Sequence, residues 1–446
     1  MLTEVIVYNK VAYTVYERKS RRLGMRRVLS LIVCLLLLLS AGFLYSASKI
    51  RIVHFHWTQP PYDEINLSSA QSFMVANPNV EVKVLFFRDP DMVTKVRTTL
   101  AASSELDTFA MQGKLSPWFM SMGVVEEIIP SAFDKKTVDE VVDLWKPGVM
   151  KKCGGFWQGK YYGIPFELSS YVAWINTAQM REAGLNPEKD IPKTWDQFTA
   201  VCKKMTVDKG GVRVRNGTAV NLKPASFPHN IFLALATQKG LDWTTEESLV
   251  KSLDSREIVE ALSTFTNWAL KDDIFSPGLF DDERQGFGNG QTATFLTGGS
   301  WYWGVLDSYS VPRTDVTPFP YPRFKGGQDT GGYAYGYSAF VAKQTKNTEW
   351  SWRWLNHLAS FPDKFIEYGY WQPRKTLSSE LAAKYIPKNE VFETERLKGA
   401  GHLLSPKFNE VQDEITNSVT RVIFQKITPE ESIAILKQNV KAILGK

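Results

Sequence analysis

Ile50-Arg51-Ile52-Val53-His54-Phe55-His56-Trp57-Thr58-Gln59-Pro60-Pro61, followed after Asn77-Pro78-Asn79 by Val80-Glu81-Val82-Lys83-Val84-Leu85-Phe86-Phe87, decides the fold class. The first run alternates and is rich in β-branched and aromatic residues, so it reads as a strand broken by Trp57-Thr58-Gln59-Pro60-Pro61. A helix is expected over 64–75, and Asn77-Pro78-Asn79 stops it. A second strand over 80–87, an amphipathic helix over 91–102 and a third strand over 107–111 follow. Strands alternating with helices at this spacing are what a parallel sheet with crossover helices requires, so the chain is α/β.

Working outward, residues from Gly154-Gly155 to Gly163-Ile164-Pro165 form a glycine-rich turn region, and 171–175 reads as a strand. Helices are expected over 176–184, 194–205, 228–239, 255–271 and 350–359, with Thr194 as an N-cap. The helix over 429–444 has Glu430 and Glu431 in its first turn and Lys437 and Lys441 toward its end, matching the helix dipole. There is no internal repeat and no disordered linker. With 446 residues, 43% hydrophobic and 22% charged, the chain is too long for one compact core and too apolar to be disordered, which implies two domains.

The net charge of +6 is concentrated at the N-terminus, where residues 1–48 hold seven Lys/Arg against two acids. The rest of the chain has 46 basic and 45 acidic residues, too even a balance for a nucleic-acid footprint. Arg26 and Arg27 precede an apolar run over 28–39, extended by Ala41, Phe43 and Leu44, which reads as an export signal with cleavage after Ser48. Translation from Met25 gives that signal an ordinary length; from Met1, residues 28–45 can instead remain as an uncleaved anchor with the basic side inside. Cys34 lies within the apolar run and is not a lipid-attachment cysteine. Cys153 and Cys202 follow it, without a CxxC motif, and read as unpaired, with one bridge between them as the alternative. His54 and His56 share one strand face but lack a nearby third ligand, so neither a metal nor any other cofactor is expected.

In order along the chain stand Phe73 with Asn77-Pro78 and Val80-Glu81-Val82; Glu105-Leu106-Asp107-Thr108-Phe109 with Gln112-Gly113; and Gly159-Lys160-Tyr161-Tyr162-Gly163-Ile164-Pro165 leading to Ile175-Asn176. Ala183-Gly184-Leu185 with Thr194-Trp195-Asp196 come next, then Thr292-Ala293-Thr294-Phe295 with Gly298-Gly299-Ser300-Trp301. Gly331-Gly332-Tyr333, Lys343, Lys346-Asn347 before Trp350, and Gly369 followed by Pro373 complete the series. In this order the landmarks resemble the extracellular solute-binding proteins of the maltose, multiple-sugar and glycerol-phosphate cluster of ABC importers, from about residue 50 to 444. Leu106-Asp107 and Thr294-Phe295 depart from the family's usual Pro-Asp and Ala-Met, so a substrate is not transferable from close relatives.

The resemblance implies a type II periplasmic-binding-protein fold: two α/β lobes joined by a multi-segment hinge, with the ligand cleft between them. Lobe 1 would comprise 49–165 plus about 338–400, and lobe 2 would comprise 166–337 plus about 401–446, after the extension over 1–48. It implies a monomeric, non-enzymatic receptor on the periplasmic or extracellular face. Such a receptor closes on a small-molecule carbohydrate, first of all a neutral oligosaccharide, and delivers it to transmembrane permease subunits, with the cytoplasmic ATPase engaged indirectly.

A sugar offers apolar C–H faces and a rim of hydroxyls, so its site needs aromatic platforms with amide, hydroxyl and guanidinium partners. The 14 Trp, 17 Tyr and 26 Phe are mostly core material. Position singles out Trp57 and Gln59 after the first strand and Gln112 after the third, the carboxyl edge where open parallel sheets bind ligands. Trp118 follows, with helix packing as its alternative. The first crossing contributes Glu167 and Ser169 beside Tyr171, and His229 lies in Phe227-Pro228-His229-Asn230, which opens a helix. In the loop over 298–303 the resemblance places the main stacking ring of the second lobe, with Trp301 and Trp303 as its candidates and Trp301 favoured. Gly332, Tyr333 and Tyr335 occupy the next crossing, where glycines let a ligand approach the backbone. Trp371 and Arg374 flank Pro373, Arg374 serving hydroxyls or a phosphate, or else a surface carboxylate. A glycerol-phosphate ester or a sugar acid is the second ligand class; a phosphate would require a further cation that the sequence does not reveal. A secreted carbohydrate-active enzyme is the rival reading, with Glu167, Asp281, Asp282 and Glu283 as nominal acids, although Asp281-Asp282-Glu283 reads as a solvated loop. Neither GxSxG nor HExxH is present.

Overall fold

The computed structural model describes residues 49–222 and 226–446. The expected export signal, its cleavage after Ser48, the start at Met25, the anchor over 28–45 and Cys34 lie outside the described residues. Two compact units divide the chain: residues up to Arg51 with Asn77–Glu81, and Ile52–Ala76 with Val82–Lys446. In the first, the Ile50 N–H donates to the Asn79 carbonyl at 2.9 Å. The second contains the cavity and the elements that position it.

Strand β1 (Ile50–Trp57), helix α1 (Pro60–Ala76), β2 (Val80–Phe87), α2 (Asp89–Ala101) and β3 (Thr108–Gln112) realise the expected alternation. α1 begins four residues earlier than expected: Pro60-Pro61 opens the helix, because proline is tolerated in a first turn whose N–H groups have no helical partner. The chain continues through β4 (Gly163–Ser170), β5 (Val172–Asn176), α3 (Trp195–Met205) and α4 (Ser226–Gln238), then α5 (Arg256–Leu270), α6 (Glu283–Gly288) and β6 (Thr294–Gly298). After α7 (Tyr302–Ser308) come β7 (Val316–Phe319), β8 (Ala334–Val341), α8 (Thr348–Leu358), α9 (Phe408–Thr420) and α10 (Pro429–Leu444).

Five strands form one sheet in the order β2-β1-β3-β8-β4, and three form a second in the order β6-β5-β7. β1 runs parallel to β3, with Phe55 opposite Phe109; β8 runs antiparallel to β3 and β4, with Tyr337 opposite Gln112 and Glu167. The second sheet is antiparallel, pairing Phe295 and Pro318 with Trp174. Tyr171 alone separates β4 from β5, so the chain passes there from one sheet to the other; residues 320–333 carry it back.

β4 corrects the expected turn region, which ends before Gly163. Pro165 fits inside the strand because the β4–β8 register shifts between Tyr337 and Ser338, a bulge that tolerates the missing donor. Gly163 is required there, since a Cβ would lie 2.5 Å from the Phe340 ring.

The helices that frame the second sheet carry their own start signals. Thr194 caps α3 and Thr428 caps α10, each in a reciprocal box with Gln197 or Glu431. α4 and α5 bury Ile231, Leu235, Leu262 and Phe265 in one core with Ile175 and Leu296, joined by Ile415 of α9 and Leu436 of α10. Phe55, Phe109, Phe119 and Phe340 belong to a separate core built on the first sheet. Cys153 and Cys202 are free and buried, Cys153 Sγ donating to the Glu167 carbonyl (3.3 Å) and Cys202 Sγ lying 3.5 Å from Thr294 Oγ1. Burial raises both thiol pKa values, that of Cys202 to about 12.

Candidate functional site

Strand ends and a crossing build one wall of a cavity of about 300 Å³. Trp57 ends β1 and Gln112 ends β3, while Tyr335 and Tyr337 sit two apart on β8. Trp57 lies 4.5 Å from Tyr337 between ring centroids, inclined by 34°. Gln112 Nε2 donates to Tyr337 Oη at 2.9 Å, and Gln59 Nε2 donates to Tyr370 Oη. Gln59 holds its place because Asp63, in the first turn of α1, accepts from its backbone N–H (3.1 Å) and from Thr58 Oγ1 (2.8 Å).

Glu167 faces this wall from β4 and is 2% exposed. Tyr62 Oη donates to Glu167 Oε2, and Tyr62 stacks against Tyr370 with centroids 4.4 Å apart. No ion pair to Glu167 occurs among the described residues, and burial pushes its pKa from 4.5 up to about 8.

The opposite wall comes from the elements around the second sheet. Phe227 and Asn230, three apart on α4, share the face toward the cavity. Trp301 follows β6 and donates from Nε1 to Tyr335 Oη at 2.7 Å. Arg284, in the first turn of α6, places its guanidinium 4.5 Å over Phe227 and 4.7 Å over Trp301, a cation between two aromatic faces. Its Nη2 donates to the Thr297 carbonyl at 3.0 Å, and its buried Nε has no hydrogen-bond partner among the described residues. Lys114, just beyond β3, also lines the cavity, donating to Gln412 Oε1 at 3.2 Å.

Of the residues singled out in the sequence, Trp57, Gln59, Gln112, Glu167, Trp301, Tyr333 and Tyr335 come together here. Seven do not. Trp118 packs edge-on against Phe119 beneath the Arg97 guanidinium, 4.2 Å from its ring centroid. Ser169 is buried behind Trp301, where Gly299 leaves no room for a Cβ between them. His229 turns away from the face shared by Phe227 and Asn230, since a neighbouring helical position points about 100° elsewhere; it is buried beside Phe408, its Nδ1 3.0 Å from Asn230 Oδ1. Trp303 lies inside α7, not in an extended segment, and is buried 4.9 Å from Trp174 with Nε1 donating to the Pro387 carbonyl.

Gly332 does approach another backbone closely, but the partner is the protein: a Cβ would lie 2.4 Å from the Tyr171 carbonyl oxygen. Trp371 is core, stacked between Lys146 and Arg396. Arg374 donates to the Ala359 carbonyl (3.2 Å) and Asn356 Oδ1 (3.1 Å), and burial lowers its pKa to about 10; it meets neither a ligand space nor a surface carboxylate. Of the nominal acids, Asp282 caps α6, and Glu283 is buried, so the expected solvated loop is a helix start. His54 Nδ1 lies 2.8 Å from Thr108 Oγ1 and His56 Nδ1 2.8 Å from the Trp57 carbonyl, both rings packed in the sheet.

The sequence reading missed Tyr62, Lys114, Arg284, Tyr337 and Tyr370. A period of two through Tyr333, Tyr335 and Tyr337 was a usable signal for Tyr337, and Asp282 before Glu283-Arg284 was a usable N-cap signal for α6. Tyr62 and Tyr370 meet across 308 residues, and no local pattern marks that contact.

Among the described residues no helix is long and apolar enough to cross a membrane. A curated relative, the arabinooligosaccharide-binding protein of Bacillus subtilis (strain 168), is 26% identical over 195 residues, 43% of this chain and 42% of that protein. The matched part is therefore less than half of either protein. A solute-binding protein of an ABC transporter from Thermotoga lettingae TMO, solved with alpha-D-tagatose, superposes with a TM-score of 0.75 at 21% identity, covering 89% of this chain and 100% of that one. An ABC substrate-binding protein from Listeria monocytogenes in complex with cycloalternan gives 0.75 at 19% identity, over 89% and 99%. These structures share the two-lobed α/β architecture. The family model of bacterial extracellular solute-binding proteins matches residues 60–360, which carry the second sheet, the first sheet apart from β1, and most of the cavity wall, and the chain belongs to that family.

Proposed function

We propose that this protein is the extracytoplasmic receptor of an ATP-driven importer, closing around a short carbohydrate and presenting it to membrane permease subunits. The observation that carries this reading is one cavity faced by rings from both sheets, Trp57 and Tyr337 on one side and Trp301 on the other, with Gln59, Gln112 and Asn230 between them. Rings match the C–H faces of a sugar, and amides match its hydroxyls. The cavity volume of about 300 Å³ is at the lower end of small-molecule sites, which suits a short ligand. Names of relatives point the same way: arabinooligosaccharide, tagatose and cycloalternan.

The lobes in this reading are 49–165 with about 338–400 and 166–337 with about 401–446, and residues 1–48 direct export. Ligand favours the closed arrangement in proportion to its added contacts with Trp301 and Arg284. Binding without turnover is the expected chemistry, since glycoside hydrolysis uses a pair of carboxyl groups and, among the described residues, the lining contributes one, Glu167.

The test is a calorimetric panel of mono-, di- and oligosaccharides and glycerol phosphates on the exported protein, with scattering on each binder. Saturable binding of a sugar with compaction, and recovery of that sugar unchanged, is expected. Binding of no carbohydrate, or release of a cleaved product, overturns the reading.

A further inference from the structure

We propose that the carbohydrate is acidic, its anionic group seated against Arg284 with Lys114 as the second cation. This deepens the receptor reading and rests on it. A neutral sugar has hydroxyl protons to donate, and a site made for it supplies acceptors, of which ionised carboxylates are the strongest. The cavity reverses that balance: Arg284 and Lys114 are its cations, and Glu167 is the carboxyl among its lining residues.

Glu167 does little to offset them. It accepts from Tyr62 Oη without a cation beside it, and burial keeps it protonated at neutral pH. Glu283 and Asp282 act on Arg284 through their charge from outside the lining, and the Glu283 carboxyl oxygens are bonded to other groups: Oε1 accepts from Thr297 Oγ1 at 2.5 Å and Oε2 from the Asn221 N–H at 2.9 Å. Arg284 is charged at every accessible pH. It lies over the rings of Phe227 and Trp301, and its buried Nε has no hydrogen-bond partner among the described residues. A planar carboxylate matches a guanidinium edge through two parallel hydrogen bonds. Tyr171 and Tyr335 add hydroxyls beside the same group.

The experiment titrates the exported protein with D-galacturonate and D-glucuronate against D-galactose and D-glucose, with glycerol 3-phosphate as the non-sugar anion. At least one uronate is expected to bind at least about tenfold tighter than its neutral counterpart, the scale of a charge-assisted pair. Arg284→Gln should reduce that preference to less than about threefold, and Arg284→Lys should retain more of it by keeping the charge. Circular dichroism and unfolding midpoints of both variants establish that they are folded; if Arg284→Gln is not, Lys114→Gln, expected to lower the preference in part, is read instead. Neutral sugars binding as tightly as their uronates would overturn the acidic ligand and leave the carbohydrate receptor standing. Glycerol 3-phosphate binding with no sugar of either kind would overturn both.

Discussion

Glu167 and Glu395 are both buried glutamates, and the protein treats them in opposite ways. Glu395 is 0% exposed, pairs with Arg323 Nη2 at 2.9 Å, and accepts the Gly332 N–H at 3.0 Å. Glu167 is almost as deeply buried but has Tyr62 Oη as its partner and no cation. The first is a cross-brace, tying the 320–333 crossing to the helix Asn389–Lys398. The second lies on the cavity, where a missing counter-charge leaves the carboxyl protonated. Of these two glutamates, the one with a counter-charge braces the scaffold and the one without it lies at the cavity.

The largest effect expected from this contrast is on the brace. Glu395→Gln removes the charge opposite Arg323 and should cost roughly 3 kcal/mol of unfolding free energy, as breaking a buried pair does, read as a lowered urea midpoint. An unchanged midpoint would mean that Asp329, 3.2 Å from Arg323 Nε, takes over completely, and the distinction between brace and site would lose its first half.

Glu167→Gln tests the other half through pH. Between pH 4.5 and about 8 the folded chain keeps a proton that the unfolded chain has released. Stability from this group therefore falls as pH rises through that window, by at most about 1.4 kcal/mol per pH unit, and levels off above it. His56 and His229 act in the opposite direction: burial lowers both from 6.5 to about 4, so the stability they contribute is lost as pH falls through that range. The difference between wild type and variant isolates Glu167, and the thermal midpoint of Glu167→Gln should rise relative to wild type from pH 5 to pH 8. Parallel midpoint curves would show that Glu167 ionises normally.

How much of this was legible in the sequence follows the same division. Alternation along β1 and the cap at Thr194 are local patterns, and they carried both the fold class and strand-end residues such as Trp57 and Gln112. Arg284 was passed over because Asp281-Asp282-Glu283 reads as solvated charge, whereas Asp282 is a cap and Glu283 is buried. Arg374 was chosen for its chemistry, yet the structure gives its donors to Ala359 and Asn356. Which cation is already satisfied depends on contacts between distant segments, and no period or spacing encodes them. Trp301 lines the cavity, whereas Tyr302 begins a helix and Trp303 leaves the cavity by helical rotation, a separation that an extended reading of 298–303 does not provide. Trp301→Ala should weaken sugar binding at least about tenfold, or about 1.4 kcal/mol, by removing a stacking face and one of the rings over Arg284. An unchanged dissociation constant by calorimetry would remove Trp301 from the site.

The smallest effect is expected at a pair whose charges lie closer together than those of the brace. Lys160 Nζ and Glu127 Oε1 lie 2.5 Å apart, nearer than Arg323 to Glu395, but their side chains are 56% and 50% exposed. Water and salt screen such a pair, and ordering two long side chains offsets much of what attraction remains. Glu127→Gln should therefore leave the urea midpoint unchanged within error at physiological salt, while Glu395→Gln lowers it clearly. If both substitutions lowered it equally, separation and not burial would govern these charges. The protonated state of Glu167, which rests on burial without a counter-charge, would then need another cause.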